Sequence, residues 1–122
     1  MILDTFLTEN AKAFNGESFV TPAYLAVGTG TVAISTTSTA LSGPVDDTRS
    51  TLTKTRITNV LSFDAVRSGT GVGTAAGEYL NELGIFSAVT AGTMLSAITL
   101  PSILQTTSFD IDISGSFTWS RS

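Results

Sequence analysis

The segment 109–120 alternates apolar and polar residues without a break. Its apolar positions are Phe109, Ile111, Ile113, Gly115, Phe117 and Trp119. Because successive side chains of a β-strand point to opposite faces, this period of two predicts a strand with one buried and one solvated face. A strand of this kind is typical of antiparallel sheets that pack one face on a core.

Other β-prone segments precede this strand. We predict a strand at 23–28, and a hairpin whose arms are 81–88 and 93–100, with Pro101 ending the second arm. The run 51–67 has apolar residues of both parities, which indicates a bulge or burial on both faces. No alternation of strands and helices is present. The expected fold is therefore all-β: an antiparallel β-sandwich or small barrel with one short N-terminal helix.

The N-terminal residues have helical spacing. The apolar positions are Leu3, Phe6, Leu7, Ala11 and Phe14, and Asn15-Gly16 follows as a C-cap. A helix this short needs a surface to pack on, either this domain's sheet or a neighbouring protein. We expect one domain over 1–122, made of a helical arm at 1–16 and a sandwich at 18–122 with a long surface loop at 31–50.

The composition argues against most catalytic designs. The chain has no histidine and no cysteine, which removes the commonest proton shuttle, thiolate nucleophile and zinc ligands. We therefore expect no enzymatic activity, no cofactor and no metal site. The net charge of −4 makes nucleic acid an unfavourable partner. The N-terminus lacks the basic region of a secretory signal, and no apolar run approaches the ~20 residues of a membrane span, so no membrane partner is expected.

Several acidic and glycine-rich motifs have ordinary explanations. Asp110 and Asp112 share a strand face, which is typical of a solvated polar face. Asp46-Asp47 lacks the full spacing of a calcium loop, and the glycines at 69, 71 and 73 lack the lysine and helix of a phosphate-binding loop. Glu82 precedes an apolar run, so we expect it to be partly buried and paired with an arginine. Asp110, Asp112 and Glu82 are also the residues from which a carboxylate-only hydrolase would have to be built.

Four of the six cations lie close together in the sequence: Arg49, Lys54, Arg56 and Arg67. They are either an ordinary solvated face or a charge-complementary surface for a partner protein. Trp119 shares its parity with the apolar residues of the last strand, which predicts core packing. If Tyr24, Tyr79 or Trp119 were exposed, a carbohydrate-binding module or host-surface adhesin would be the alternative.

Three segments carry a family resemblance: YLAVGTG at 24–30, NELGIF at 81–86 with AGTML at 91–95, and the terminal FDIDISGSFTW. Together they resemble the β-rich tail-collar and tail-fibre attachment domains of tailed bacteriophages. Asn81 stands where that pattern usually has arginine, and no long shaft follows, since the sequence stops at Ser122. A domain of this size is more similar to the small decoration, or cement, proteins of phage capsids.

The resemblance implies a non-enzymatic virion protein, made in the host cytoplasm and located on the capsid surface, where it would bridge neighbouring shell subunits. A tail, collar or baseplate component is the alternative. The implied partners are the major capsid protein or other virion proteins, in a homo-oligomer or symmetric assembly. The residues we expect to contact such a partner are Leu3, Phe6, Leu7, Phe14, Arg49, Lys54 and Arg56.

Overall fold

The structure, a computed structural model, describes residues 1–45, 49–68, 77–108 and 110–121. It contains one helix, α1 (Asp4–Phe14), and seven strands. The strands are β1 (Tyr24–Gly28), β2 (Ser50–Thr51), β3 (Thr53–Ile57), β4 (Val60–Arg67), β5 (Tyr79–Phe86), β6 (Met94–Leu104) and β7 (Ile111–Thr118). The glycine motif at 69–73 and the pair Asp46-Asp47 lie outside the described residues.

The strands form two antiparallel sheets. Sheet A has the order β2-β1-β5-β6, and sheet B has the order β3-β4-β7. The chain crosses from one sheet to the other at Leu52, which is buried between β2 and β3. The predicted all-β sandwich with one short N-terminal helix is confirmed, and its sheets are not closed into a barrel.

The run 51–67 is a hairpin rather than one irregular strand. β3 and β4 pair with Ile57 opposite Val60, so the chain reverses at Thr58 and Asn59, and Thr58 has a positive φ of 50°. The mixed parity has a simple origin: Leu61, Phe63 and Ala65 pack on the core, whereas Ile57 and Val66 are exposed. The prediction of a bulge or of two-sided burial is wrong.

β6 does not end at Pro101. The strand continues to Leu104, and Ile103 and Leu104 lie opposite Leu80 and Tyr79 of β5. Pro101 lies where the register of β5 and β6 shifts, between the pairs Glu82–Thr99 and Leu80–Ile103, and proline is tolerated at such an irregularity of an edge strand because no regular ladder hydrogen bond is required there. The hairpin of β5 and β6 is confirmed, but its second arm is longer than the sequence predicted.

The main core lies between the two sheets. Leu25 and Val27 of β1 and Leu83 and Ile85 of β5 face Ala65 and Phe117 of sheet B. These residues alternate along their strands, as a sheet with a buried face requires. Arg67 is also buried here and donates a hydrogen bond to the buried side chain of Gln105.

A second, smaller core covers the other face of sheet A. Leu41 and Ile34 of the irregular segment 29–45, which we call the covering loop, pack with Phe86, Met94 and Leu3. The covering loop is joined to β1 through Val45 N–H, which donates to Val27 O at 3.1 Å. Sheet A is therefore buried on both faces, which explains the nearly continuous apolar run of β5.

Helix α1 packs on its own domain. Leu3, just before the helix, is fully buried in the second core, and Phe6 is buried in the main core, with its ring centroid 5.2 Å from that of Phe117. Gly16 follows with a φ of 76°, as the Asn15-Gly16 cap predicts. None of the helices in the described part of the chain is both long and apolar enough to span a membrane.

Replacing Phe6 with alanine is expected to cost about 3–5 kcal/mol of unfolding free energy, because it removes the ring that joins α1 to the main core. Leu7→Ala, one residue along, changes an exposed side chain and should stay within about 0.5 kcal/mol. Urea denaturation of both variants measures the difference. Equal losses for the two would contradict the described packing of α1.

Candidate functional site

The outward side of α1 carries an apolar stripe. Leu7, Ala11 and Phe14 follow one another at spacings of four and three residues, so they share one helix face, and all three are exposed. Phe14 is 95% exposed and Leu7 is 58% exposed. We call these three residues the exposed stripe. Since the inward side of α1 is already packed through Phe6, the helix is apolar on two sides.

A groove of about 250 Å³ adjoins α1. It lies between the helix, the irregular segment 19–22 and sheet B, and we call it the helix-side groove. Its apolar lining includes Phe6, Ala13, Phe19, Val20, Pro22, Leu61, Leu95 and Trp119. Phe19, Val20 and Trp119 are also substantially exposed, so this side of the molecule presents contiguous apolar surface to a partner.

Polar side chains hold the groove in place. Glu9 accepts a hydrogen bond from Val20 N–H at 3.0 Å and forms a 3.0 Å salt bridge with Lys12. The hydrogen bond from Val20, followed by the one from Lys12, lowers the pKa of Glu9 below its ordinary value. Lys54 Nζ donates to Pro22 O at 2.7 Å. Both contacts tie segment 19–22 to the helix and to β3.

Glu82 holds the covering loop against sheet A. Its Oε1 accepts a hydrogen bond from Gly43 N–H at 2.7 Å, and its Oε2 accepts from Ser42 N–H at 3.1 Å and Ser42 Oγ at 3.0 Å. The carboxylate is 2% exposed. Gly28 and Gly30 lie directly against it, and a Cβ at either position would collide with the Glu82 side chain. Close approach of the backbone to Glu82 therefore requires both glycines.

The partners of Glu82 correct one prediction. Its burial is as expected, but in the described residues no arginine pairs with it, because three donors from Ser42 and Gly43 take that place. No pattern in the sequence indicates this pairing, since the donors lie about forty residues away in an irregular loop. Asn81, beside it, donates to Thr29 O at 3.0 Å and adds a second tie to the covering loop.

Two of the three carboxylates considered for a hydrolase, Glu82 and Asp112, are not brought together. Glu82 lies beneath the covering loop on sheet A, whereas Asp112 lies on the exposed face of sheet B. There Asp112 is a diagonal neighbour of Asp64 on β4. A hydrogen bond between the two carboxyl groups, together with desolvation and repulsion, raises the pKa of Asp64.

The predicted cationic contacts are spread over the molecule. Arg49 stacks on Phe86, with its guanidinium carbon 3.8 Å from the ring centroid, and donates to Ala88 O and Ala91 O at 2.8 Å. Partial burial lowers the pKa of Arg49. Arg56 donates to Thr58 O at 3.0 Å. Arg49 thus braces the turn between β5 and β6, while Lys54 alone of these cations lines the helix-side groove.

The structure divides the predicted partner residues into two groups. Leu3 and Phe6 are enclosed by this chain's own cores and are not available as partner surface, which is a correction to their expected role. Leu7 and Phe14 are exposed, and their partner contacts stay a prediction. Sequence reasoning missed Phe19 and Val20, because they precede the predicted strand at 23–28 and lie in an irregular segment without a periodic pattern.

The aromatic residues considered for sugar binding differ in exposure. Trp119 was predicted to pack in the core. It lies against Phe6, with ring centroids 6.2 Å apart, but it is 45% exposed, so the predicted core packing is found only in part. Tyr79 is 56% exposed at the start of β5, and Tyr24 is half-buried. They lie on different strands, and carbohydrate binding stays an untested alternative.

Comparisons with known proteins identify no relative: no protein-family model matches the sequence, and searches of curated proteins and of solved structures give no match. The resemblance to phage structural domains is therefore still a prediction from the three quoted segments.

Replacing Glu82 with glutamine is expected to cost about 2 kcal/mol of unfolding free energy. The NH2 group of the amide replaces one carboxylate oxygen and cannot accept the hydrogen bonds that Ser42 or Gly43 donates to that oxygen. Hydrogen exchange at the amides of Ser42 and Gly43 should accelerate. Ser42→Ala removes only the hydroxyl contact and should cost about 1 kcal/mol. Unchanged exchange in Glu82→Gln would show that the carboxylate does not hold the loop.

The pair of Asp64 and Asp112 predicts a pH dependence. Since the pKa of Asp64 is raised in the folded state, folding binds a proton, and stability falls as pH rises through the interval between the ordinary and the raised value. Asp64→Asn should therefore be more stable than the original chain at about pH 7, with the advantage shrinking toward about pH 3. Thermal melts at both pH values measure this. Glu78→Gln, which removes a charge elsewhere, should show no such advantage.

Proposed function

We propose that this chain is a non-enzymatic structural protein of a tailed-phage virion, and that it acts as a capsid decoration or cement protein. In this proposal it is made in the host cytoplasm and then docks on the shell, where it bridges neighbouring copies of the major capsid protein. The resemblance of segments 24–30, 81–86 with 91–95, and 109–119 supports the choice of virion class. The observation that carries the proposal is the exposed stripe of α1.

An exposed stripe is costly for a protein that works alone. Leu7 and Phe14 each gain about 1.5–3 kcal/mol when their side chains are removed from water. In the described part of the chain Phe14 is almost fully exposed, and more than half of Leu7 is exposed. A binding partner with an apolar surface would gain this free energy without disturbing the domain, since Leu3 and Phe6, which hold α1, are already buried in this chain's own cores.

The expected mechanism is stabilisation by mass action. A protein that binds only the assembled shell shifts the assembly equilibrium by about 2.7 kcal/mol per site at a hundredfold excess over Kd. The low charge of the chain, 13% of residues, keeps the desolvation cost of docking small. Repetition over many symmetric sites turns modest contacts into a strong reinforcement of the shell.

Immunogold labelling of purified phage particles tests the location. An antibody raised against this chain should label particles over the whole head. Labelling confined to one vertex would instead place the chain in the tail, collar or baseplate. The proposal would be overturned if the antibody labelled neither the purified particles nor the assembled shells recovered from the lysate.

The double variant Leu7→Ser/Phe14→Ser should lose shell binding by at least about a hundredfold in Kd, because two apolar burials of about 1.5–3 kcal/mol each are removed. The matched control is Val32→Ser/Ile57→Ser, which changes two apolar residues that are each 70% exposed and belong to the covering loop and to β3 rather than to α1. Co-sedimentation with undecorated shells measures both. Equal binding by the two variants would remove the exposed stripe from the mechanism.

A further inference from the structure

The outer edge of β7 has backbone groups that no described strand pairs. β7 hydrogen-bonds to β4 alone and forms the border of sheet B. Trp119 N–H donates to Asn59 O at 2.9 Å on the β4 side. Because alternate residues of an antiparallel strand direct both backbone groups to the same neighbour, the residues of the other parity point outward. These are Asp112, Ser114, Ser116 and Thr118.

Each of the other three sheet borders has a feature that discourages strand pairing. β2 is only two residues long. β6 is covered at Ser96 by Ile2 and contains Pro101 further along. β3 carries Lys54 and Arg56. Short edges, added segments, proline and cations are the usual means by which proteins block edge-to-edge association.

β7 has none of these features in its own sequence, and Ile2, Leu7 and Asn10 line a cleft of about 280 Å³ beside its last residues, Ser116 to Thr118. It is eight residues long, contains no proline and no cation, and has Asp112 as its single charged residue. Its centre, Ser114-Gly115-Ser116, has small side chains that let another backbone come close. Beneath it, the sandwich is open along a groove of about 360 Å³ between β6 and β7, lined by apolar residues that include Ile98 and Ile113. An added strand with an apolar inner face would cover that groove.

The sequence of β7 is suited to form this added strand in a second copy of the chain. In an antiparallel pair related by a two-fold axis at Gly115, Ile113 lies opposite the partner's Phe117 on the inner face, which continues the apolar lining. On the outer face, Ser114 lies opposite the partner's Ser116, and Asp112 lies opposite the partner's Thr118. The two Asp112 carboxylates are then about 20 Å apart, well beyond the screening length of about 8–10 Å, so the pairing meets no strong charge repulsion.

The outward backbone groups fit the same register. Asp112, Ser114, Ser116 and Thr118 would form hydrogen-bonded pairs with their opposites, whereas Gly115 would form a non-hydrogen-bonded pair with the partner's Gly115. We propose that this chain forms a two-fold symmetric dimer in which β7 pairs antiparallel with β7 of a second copy. Sheet B then continues across the dimer as one six-stranded sheet. This inference goes beyond the proposed function and is independent of any phage shell.

Sedimentation equilibrium of the purified full-length chain tests the dimer. The expected result is a dimer that Ser114→Lys dissociates, with Kd raised at least about tenfold, because two cations then meet the facing edge. Ser62→Lys is the matched control: it adds the same charge to an exposed serine on the same sheet face, but on β4, which is paired on both sides. It should stay dimeric. A monomeric original chain, or equal dissociation by both variants, overturns the proposal.

Cross-linking tests the register without relying on a destabilised edge. The chain contains no cysteine, so any disulfide reports an introduced pair. A mixture of Ser114→Cys and Ser116→Cys should form a disulfide-linked heterodimer on mild oxidation. Mixtures with Ser62→Cys should not cross-link. A dimeric preparation that fails to link Ser114→Cys to Ser116→Cys would overturn the register about Gly115.

Discussion

The hydrogen bonds of Glu82 are the constraint on which the rest of the architecture depends. They fix Ser42 and Gly43 against sheet A and so hold the covering loop over the outer face of β1 and β5. The covering loop closes the second core, and Leu3 is buried in that core. Asp4 N–H donates to Thr36 O of the same loop at 2.8 Å, so the loop also fixes where α1 begins.

This sequence of contacts determines which side of α1 faces solvent. Leu3 and Phe6 bind the helix to the two cores. At about 100° per residue, Leu7 and Phe14 lie roughly 80–100° around the helix from Phe6, so the direction of Phe6 into the main core leaves them beside the contact, where they are exposed. The exposed stripe is therefore a consequence of the packing and not of a loose terminal segment. A buried carboxylate with three donors is a demanding arrangement, because losing any one donor leaves a charge without full compensation.

The sequence predicted the elements whose pattern is local. The period of two in 111–118, the helix spacing from Leu3 to Phe14 and the hairpin of β5 and β6 all rest on neighbouring residues, and the structure confirms them.

The turn at Thr58 and Asn59 was missed because it has no glycine, and Thr58 adopts its positive φ without one. The effect of Pro101 was predicted wrongly because it depends on where the pairing of an edge strand becomes irregular, which is a property of the sheet. The site was harder still, since the Glu82 partners and the groove wall at Phe19 and Val20 come from irregular segments.

The proposed β7 pairing would strengthen binding through the exposed stripe, because one stripe gains little free energy compared with the entropy cost of association. Binding two proteins costs about 4–15 kcal/mol in lost translational and rotational freedom, whereas burying Leu7 and Phe14 returns about 3–6 kcal/mol. A single copy with one stripe is therefore at best a weak binder. A two-fold dimer presents two stripes, and the second contact forms at the high effective concentration set by the first. Bridging requires two contact surfaces in any case, so the unprotected edge of β7 provides what a reinforcing protein needs and a single sandwich lacks.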